Sequence, residues 1–96
     1  MGENELFTLG QVVATRGIDT ACKEDLDFSR EVHKAFLKYI SGNWGETCAE
    51  DSALNDSAVQ NNNDRIVAKY ATSKGNIFII TEHDRSYTTI LFANEY

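Results

Sequence analysis

Asp64 to Tyr96, DRIVAKYATSKGNIFIITEHDRSYTTILFANEY, is the stretch whose reading decides the fold. Arg65 to Ala71 alternates, with Ile66, Ala68 and Tyr70 on one face and Val67 and Lys69 on the other, the period-two mark of a strand. Thr72-Ser73-Lys74-Gly75 is a turn. Asn76 to Glu82 then carries Ile77, Phe78, Ile79 and Ile80 without interruption, and such a β-branched and aromatic run suits a central strand covered on both faces. His83-Asp84-Arg85-Ser86 is a second turn, in which Asp84 and Ser86 can bond their own backbone. Tyr87 to Phe92 alternates again, Thr88, Ile90 and Phe92 against Thr89 and Leu91. Connections this short make consecutive strands antiparallel neighbours, so the stretch predicts a three-stranded meander.

Upstream the pattern turns helical. Thr8-Leu9-Gly10-Gln11 has capping-box spacing, and Leu9, Val12, Val13 and Arg16 follow at helical offsets before Gly17, which predicts a short helix. The rival reading makes residues 11–15, Gln11-Val12-Val13-Ala14-Thr15, a fourth strand, because they are rich in β-branched types and Gly10 lowers helix propensity. Ile18 to Leu26 reads as a polar connection with room for one helical turn. From Asp27 or Ser29 as N-cap, Val32, Phe36 and Ile40 recur at spacing four, with Leu37 and Tyr39 widening the stripe and Ser41-Gly42 closing the helix. Asn43-Trp44-Gly45 is a tight corner with Trp44 as a core anchor. Thr47-Cys48-Ala49-Glu50 is a second capping box, opening a helix that runs to about Gln60 with Ala53, Leu54 and Ala58 as its apolar stripe. Asn61-Asn62-Asn63 ends it, asparagine tolerating the left-handed cap conformation. The fold class is therefore α+β, two to three N-terminal helices packed on a C-terminal meander.

Ninety-six residues suffice for one domain with one modest core. The apolar fraction of 42% describes a folded chain. No apolar run approaches membrane-spanning length and no basic-then-apolar leader is present, so no membrane association and a cytoplasmic location are expected. Cys22 and Cys48 accordingly read as reduced thiols. The net charge of −6 is unevenly spread: residues 1–60 hold eleven acids against five Lys and Arg, whereas residues 61–96 hold four of each. Tyr39 to Asp64 contains five acids and no Lys or Arg. Glu46, Glu50, Asp51 and Asp56 thus read either as a solvated face that also favours the positive end of a helix, or as a docking surface for a protein with a basic surface.

Several chemistries find little support. Cys22, His33, Cys48 and His83 lack the short spacings that place two metal ligands on one turn, and there is no phosphate loop, nucleophile elbow or calcium loop. No metal and no cofactor are expected. Helices followed by a strand pair also describe a winged DNA reader, but the helix that would enter the groove, Cys48 to Gln60, carries only acids among its charged residues and would be repelled by phosphates. One cluster has catalytic types: Arg65, Glu82, His83, Asp84, Arg85 and Tyr87 with Thr88. RNA cleavage needs a base, an acid and guanidinium groups for the phosphate.

In layout, with Asp64-Arg65-Ile66 opening one strand and His83-Asp84-Arg85 before the last, the closing third resembles microbial ribonucleases of the barnase and RelE-like superfamily. That resemblance implies catalysis by Arg65, Glu82, His83 and Arg85. The family's acid histidine is expected near the position of Arg85, and His83 stands displaced along the turn. A second pattern spans nearly the whole chain: Leu9-Gly10-Gln11-Val12-Val13-Ala14-Thr15-Arg16-Gly17, then Gly42-Asn43-Trp44-Gly45, then Ile79 to Ser86, with Thr88-Thr89 and Glu95-Tyr96. In it the chain resembles short bacterial and mobile-element proteins of unestablished activity, which carry a histidine where Tyr39 stands and an aspartate where Asn43 stands. This resemblance implies a stand-alone domain and names no reaction.

Small acidic proteins carried by mobile elements often block host defence enzymes, as inhibitors of CRISPR effectors or as mimics of DNA charge against restriction enzymes. The expected function is therefore a non-enzymatic inhibitor that offers Glu46, Glu50, Asp51 and Asp56 to a basic nucleic-acid-binding cleft. The alternative is the ribonuclease or ribonuclease-like toxin. A third possibility, a purely structural or regulatory partner that forms a homodimer through the free edge of its sheet, is compatible with all of these observations.

Overall fold

In the computed structural model, which describes residues 6–96, the elements run β1 (Gln11–Ala14), α1 (Arg16–Glu24), α2 (Leu26–Ile40), α3 (Ala49–Asn61), β2 (Ile66–Thr72), β3 (Gly75–Thr81) and β4 (Tyr87–Phe92), closed by a 3₁₀ turn at Ala93–Glu95. The meander is observed: β2 pairs with β3 and β3 with β4, both antiparallel. β1 adds to the far side of β4 in parallel, giving a four-stranded mixed sheet in the order β1-β4-β3-β2. The fold class is α+β, helices preceding the meander.

The register places Ile66, Ala68 and Tyr70 across from Thr81, Ile79 and Ile77, and these in turn from Thr88, Ile90 and Phe92. This face carries the core. Ile18 of α1, Phe28, Val32, Ala35 and Tyr39 of α2 and Ala58 of α3 pack with Ile66, Ala68, Tyr70, Ile77, Ile79 and Ile90 in one buried cluster. Ile80 and Leu91, of opposite parity, are also buried but lie outside that cluster. On their face Phe78 meets the ring of Tyr96, 5.2 Å between centroids, where the 3₁₀ turn folds the C-terminus back.

Four expectations are corrected. The short helix over Leu9 to Arg16 is the strand β1, as its rival reading has it, and Gln11 donates to Ser86 O instead of closing a capping box with Thr8. Gly10 is the physical reason: its φ is +66° and a Cβ there would fall on the carbonyl oxygen of Ser86, so the chain enters β1 pressed against the β3–β4 turn. Gly17 is not a stop but lies inside α1, a helix that occupies the supposed connection Ile18 to Leu26. Thr15 caps it by accepting from Ile18 N–H, and Ile18, Ala21 and Cys22 turn toward the core.

The third correction concerns α2, whose N-cap is Asp25, not Asp27 or Ser29; one residue ends α1 with its backbone N–H and starts α2 with its carboxylate. The buried stripe accordingly runs Phe28, Val32, Ala35, Tyr39, and Leu37 is exposed. The fourth is the start and face of α3. Cys48 is its N-cap without a side-chain bond, Thr47 serves elsewhere, and Ala53 and Leu54 face solvent while Asn55 is buried. Its end matches expectation: Asn62 takes the left-handed cap conformation at φ 52°.

Candidate functional site

The acidic segment is hydrogen-bonded to the outer edge of β2. At Gly45, φ +64°, the chain passes so close to Tyr70 that a Cβ would clash with its ring. Trp44, just before it, is buried between Tyr39 and Phe7. Glu46 N–H then donates to Lys69 O at 2.7 Å, and Lys69 N–H donates to Thr47 Oγ1 at 2.8 Å. Two helical turns further, the buried Asn55 donates to Val67 O at 2.9 Å and accepts from Val67 N–H at 3.1 Å. A single carboxamide thus supplies both partners of an edge residue, which a neighbouring strand would otherwise provide.

The structure does not leave the four candidate acids equivalent. Glu46, Glu50 and Asp51 are exposed, and among the described residues none of the four forms an ion pair. Asp56 is partly committed, since its Oδ1 accepts from Trp44 Nε1 at 2.8 Å and so orients the core indole. Lys34 and Lys38 line a shallow concavity together with Glu46, and Lys69 lines another with Glu46 and Asp51. Three cations distant in sequence therefore temper the field at Glu46, and Lys69 tempers that at Asp51 as well, leaving Glu50, with the exposed Leu54 one turn on, as the part of α3 furthest from local compensation.

The residues of the ribonuclease reading diverge. Arg65 and Glu82 face each other at the end of the β2–β3 pair, Nε to Oε1 at 3.9 Å, and Arg65 Nη2 also donates to Tyr96 Oη at 3.2 Å. His83 is exposed in the turn. Asp84 accepts from Ser86 N–H at 3.0 Å, and its hydrogen bonds to Ser86 hold its carboxyl below the usual range. Arg85 points the other way, into the molecule: its φ is +60° and it is only 9% exposed.

The Arg85 guanidinium is spent on main-chain carbonyls. Nη1 donates to Asp64 O at 2.7 Å, Glu82 O at 3.1 Å and His83 O at 3.3 Å; Nη2 donates to Ala58 O at 3.0 Å and Asn63 O at 3.1 Å. The last turn of α3 has no basic residue of its own, and Arg85 brings a cation to its negative end from the β3–β4 turn. This is a clamp joining helix, loop and turn, with no donor left facing solvent for a phosphate. Among the described residues, no group of three or more His, Cys, Asp or Glu converges as a metal site.

One buried network escaped the sequence reading. Tyr39 Oη lies 2.6 Å from Thr81 Oγ1, which lies 2.7 Å from Thr88 Oγ1, which donates to Leu9 O at 2.7 Å. The proton directions follow from counting. A carbonyl only accepts, so the one proton of Thr88 goes to Leu9; Thr81 must then donate to Thr88, and Tyr39 to Thr81, with Ile66 O at 3.3 Å a second, longer acceptor for the same Tyr39 proton. Burial pushes the Tyr39 hydroxyl well above its usual pKa, so it stays a donor. The chain ties α2 through β3 and β4 to the segment entering β1. A signal existed in the inward parity of Thr81 and Thr88 with Ile79 and Ile90, but Tyr39 and Leu9 are placed beside them only by folding. Comparison of the chain with protein-family models, curated proteins and solved structures finds no match.

Proposed function

We propose that this chain is a small acidic binding protein without enzymatic activity, which docks the exposed side of α3 and the turn before it onto a basic, nucleic-acid-binding surface of another protein. The mobile-element resemblance makes a host defence enzyme, a CRISPR effector or a restriction enzyme, the partner class to test. The observation that carries this reading is the presentation of Glu46, Glu50 and Asp51, exposed and without ion pairs among the described residues, on a turn and helix hydrogen-bonded to the sheet through Thr47 and Asn55. Preorganised charge speeds encounter and lowers the ordering cost of binding. Leu54 adds an apolar contact within the same patch.

The test is inhibition of DNA cleavage by a panel of purified CRISPR effectors and restriction enzymes. Inhibition is expected from the natural chain, weakened by raised salt and by Glu46→Gln/Glu50→Gln/Asp51→Asn together. Asp56 stays unaltered because it orients Trp44. Binding that barely changes between low and high salt would sink the electrostatic reading. The ribonuclease alternative retains Arg65, Glu82 and His83 but must do without Arg85. RNA in excess, left intact by the natural chain and by Glu82→Gln alike, removes it.

A further inference from the structure

The two edges of the sheet are treated differently. β2, at one end, has its outward backbone groups at Val67 and Lys69 satisfied by Asn55, Thr47 and Glu46. β1, at the other, has no such cover among the described residues. Gln11 N–H donates to Ser86 O at 3.1 Å and Thr15 N–H to Ile90 O at 3.0 Å. Backbone groups of successive strand residues point to opposite sides. Gln11, Val13 and Thr15 therefore face β4, and the N–H and C=O of Val12 and Ala14 point away from the sheet.

Nothing in β1 discourages pairing. Its sequence Gln-Val-Val-Ala has no Lys, no Pro and no charge, the devices by which edges are usually blocked. Val12 and Val13, on opposite faces, are 44% and 36% exposed. We propose that β1 pairs antiparallel with β1 of a second copy, with the two-fold axis at Val13, so that two four-stranded sheets become one sheet of eight strands. In this register Val12 lies opposite Ala14 of the other copy at both flanking positions. Each such pair exchanges two hydrogen bonds, so all four outward groups of each chain are satisfied. The Val13 side chains meet at the central position, where directly opposed side chains come closest.

Charge favours a second copy over the basic partner proposed above. An uncharged strand offers a basic segment nothing, whereas the net charge of −6 must be kept apart from its duplicate. α3 packs on β2, the edge farthest from β1, so the two acidic segments lie roughly 34 Å apart across eight strands, several screening lengths at physiological salt. The pairing does not depend on the acidic-surface reading.

Sedimentation equilibrium of the full chain tests it. A concentration-dependent rise from 10.8 kDa toward twice that mass is expected. Ala14→Pro removes one outward N–H and no bond to β4, a substitution that an edge strand accommodates, and it should leave the chain monomeric with an unchanged far-ultraviolet spectrum. In a Cys22→Ala/Cys48→Ser background, Val13→Cys should cross-link into a disulfide dimer under copper–phenanthroline and Val12→Cys should not, whether or not Ala14→Pro folds. A natural chain that stays monomeric to about 1 mM, a dimer unchanged by a folded Ala14→Pro, or cross-linking that favours Val12→Cys overturns the proposal.

Discussion

Replacing Arg85 with alanine removes a buried cation that five carbonyls from three segments accept, and we expect it to cost stability and no activity. The bond to Ala58 O is fully buried and the other four are partly so. A hydrogen bond from a charged donor contributes about 1.5–3 kcal/mol, and partly buried carbonyls recover some of that from water. Against this stands the relief of desolvating a guanidinium that has no carboxylate partner and whose Nε lacks an acceptor. The balance is a loss of about 3–4 kcal/mol, a large share of an ordinary domain's ~5–15 kcal/mol. Alanine keeps the positive φ, so backbone strain is unchanged.

Urea denaturation followed by circular dichroism measures this directly. With a slope of about 1 kcal/mol per molar for a chain of this size, the midpoint should fall by about 3 M at constant slope. Arg85→Lys keeps the charge near the end of α3 but offers one ammonium to five dispersed carbonyls, and should recover about half of the loss. His83→Ala, in the exposed turn beside it, should change stability by less than about 0.5 kcal/mol. A loss below about 1 kcal/mol for Arg85→Ala refutes the clamp. An Arg85→Ala chain of natural stability that loses an RNA-cleaving activity would return Arg85 to the ribonuclease reading.

Asn55→Leu should leave Val67 N–H and C=O without their side-chain partners, at about 2–3 kcal/mol, with hydrogen exchange at Val67 accelerating more than at Ile79 in the middle of the sheet. The proton direction of the Tyr39-Thr81-Thr88 chain predicts an order. Tyr39→Phe removes the first donor and orphans no buried proton, at about 1 kcal/mol, whereas Thr88→Val strands both the Thr81 proton and Leu9 O, at about 2–3 kcal/mol. Equal losses by thermal or chemical denaturation would contradict that direction. Tyr39 and Tyr70 both have hydroxyl pKa values raised above the ordinary 10.0 by burial. The folded state then holds their protons more tightly than the unfolded one, so their contribution is complete below pH 10 and is lost as pH rises beyond it. Absorbance of tyrosinate should therefore show these two ionising only together with alkaline unfolding.

Much of the architecture is legible locally because strands and helices imprint their periods on neighbours in sequence. Ile66 to Tyr70, Ile77 to Ile80 and Tyr87 to Phe92 carry the meander in their alternation, and Val32 and Tyr39 mark α2. The same local rules fail where a residue's partner is far away. Thr47 and Glu50 have the spacing of a capping box, yet the Thr47 hydroxyl serves Lys69 of β2 and Trp44 O. Leu54 reads as core and is exposed, while Asn55, which is no part of the expected apolar stripe, is buried, because its amide serves the edge of β2. At the candidate site, the acidity of Tyr39 to Asp64 is visible in composition, but its tempering by Lys34, Lys38 and Lys69 is not.

The sequence alone determines the meander from Asp64 to Tyr96, an acidic helix before it and an asparagine cap within residues 61–63, since each depends on side chains within a few positions of one another. Only the tertiary structure decides that Gln11 to Ala14 is a strand, that Arg85 is a clamp and that β1 is the edge left without cover among the described residues. The physical reason is common to all three. Backbone N–H and C=O groups must find partners wherever water is excluded, and which partner reaches them depends on what folding brings within hydrogen-bond distance.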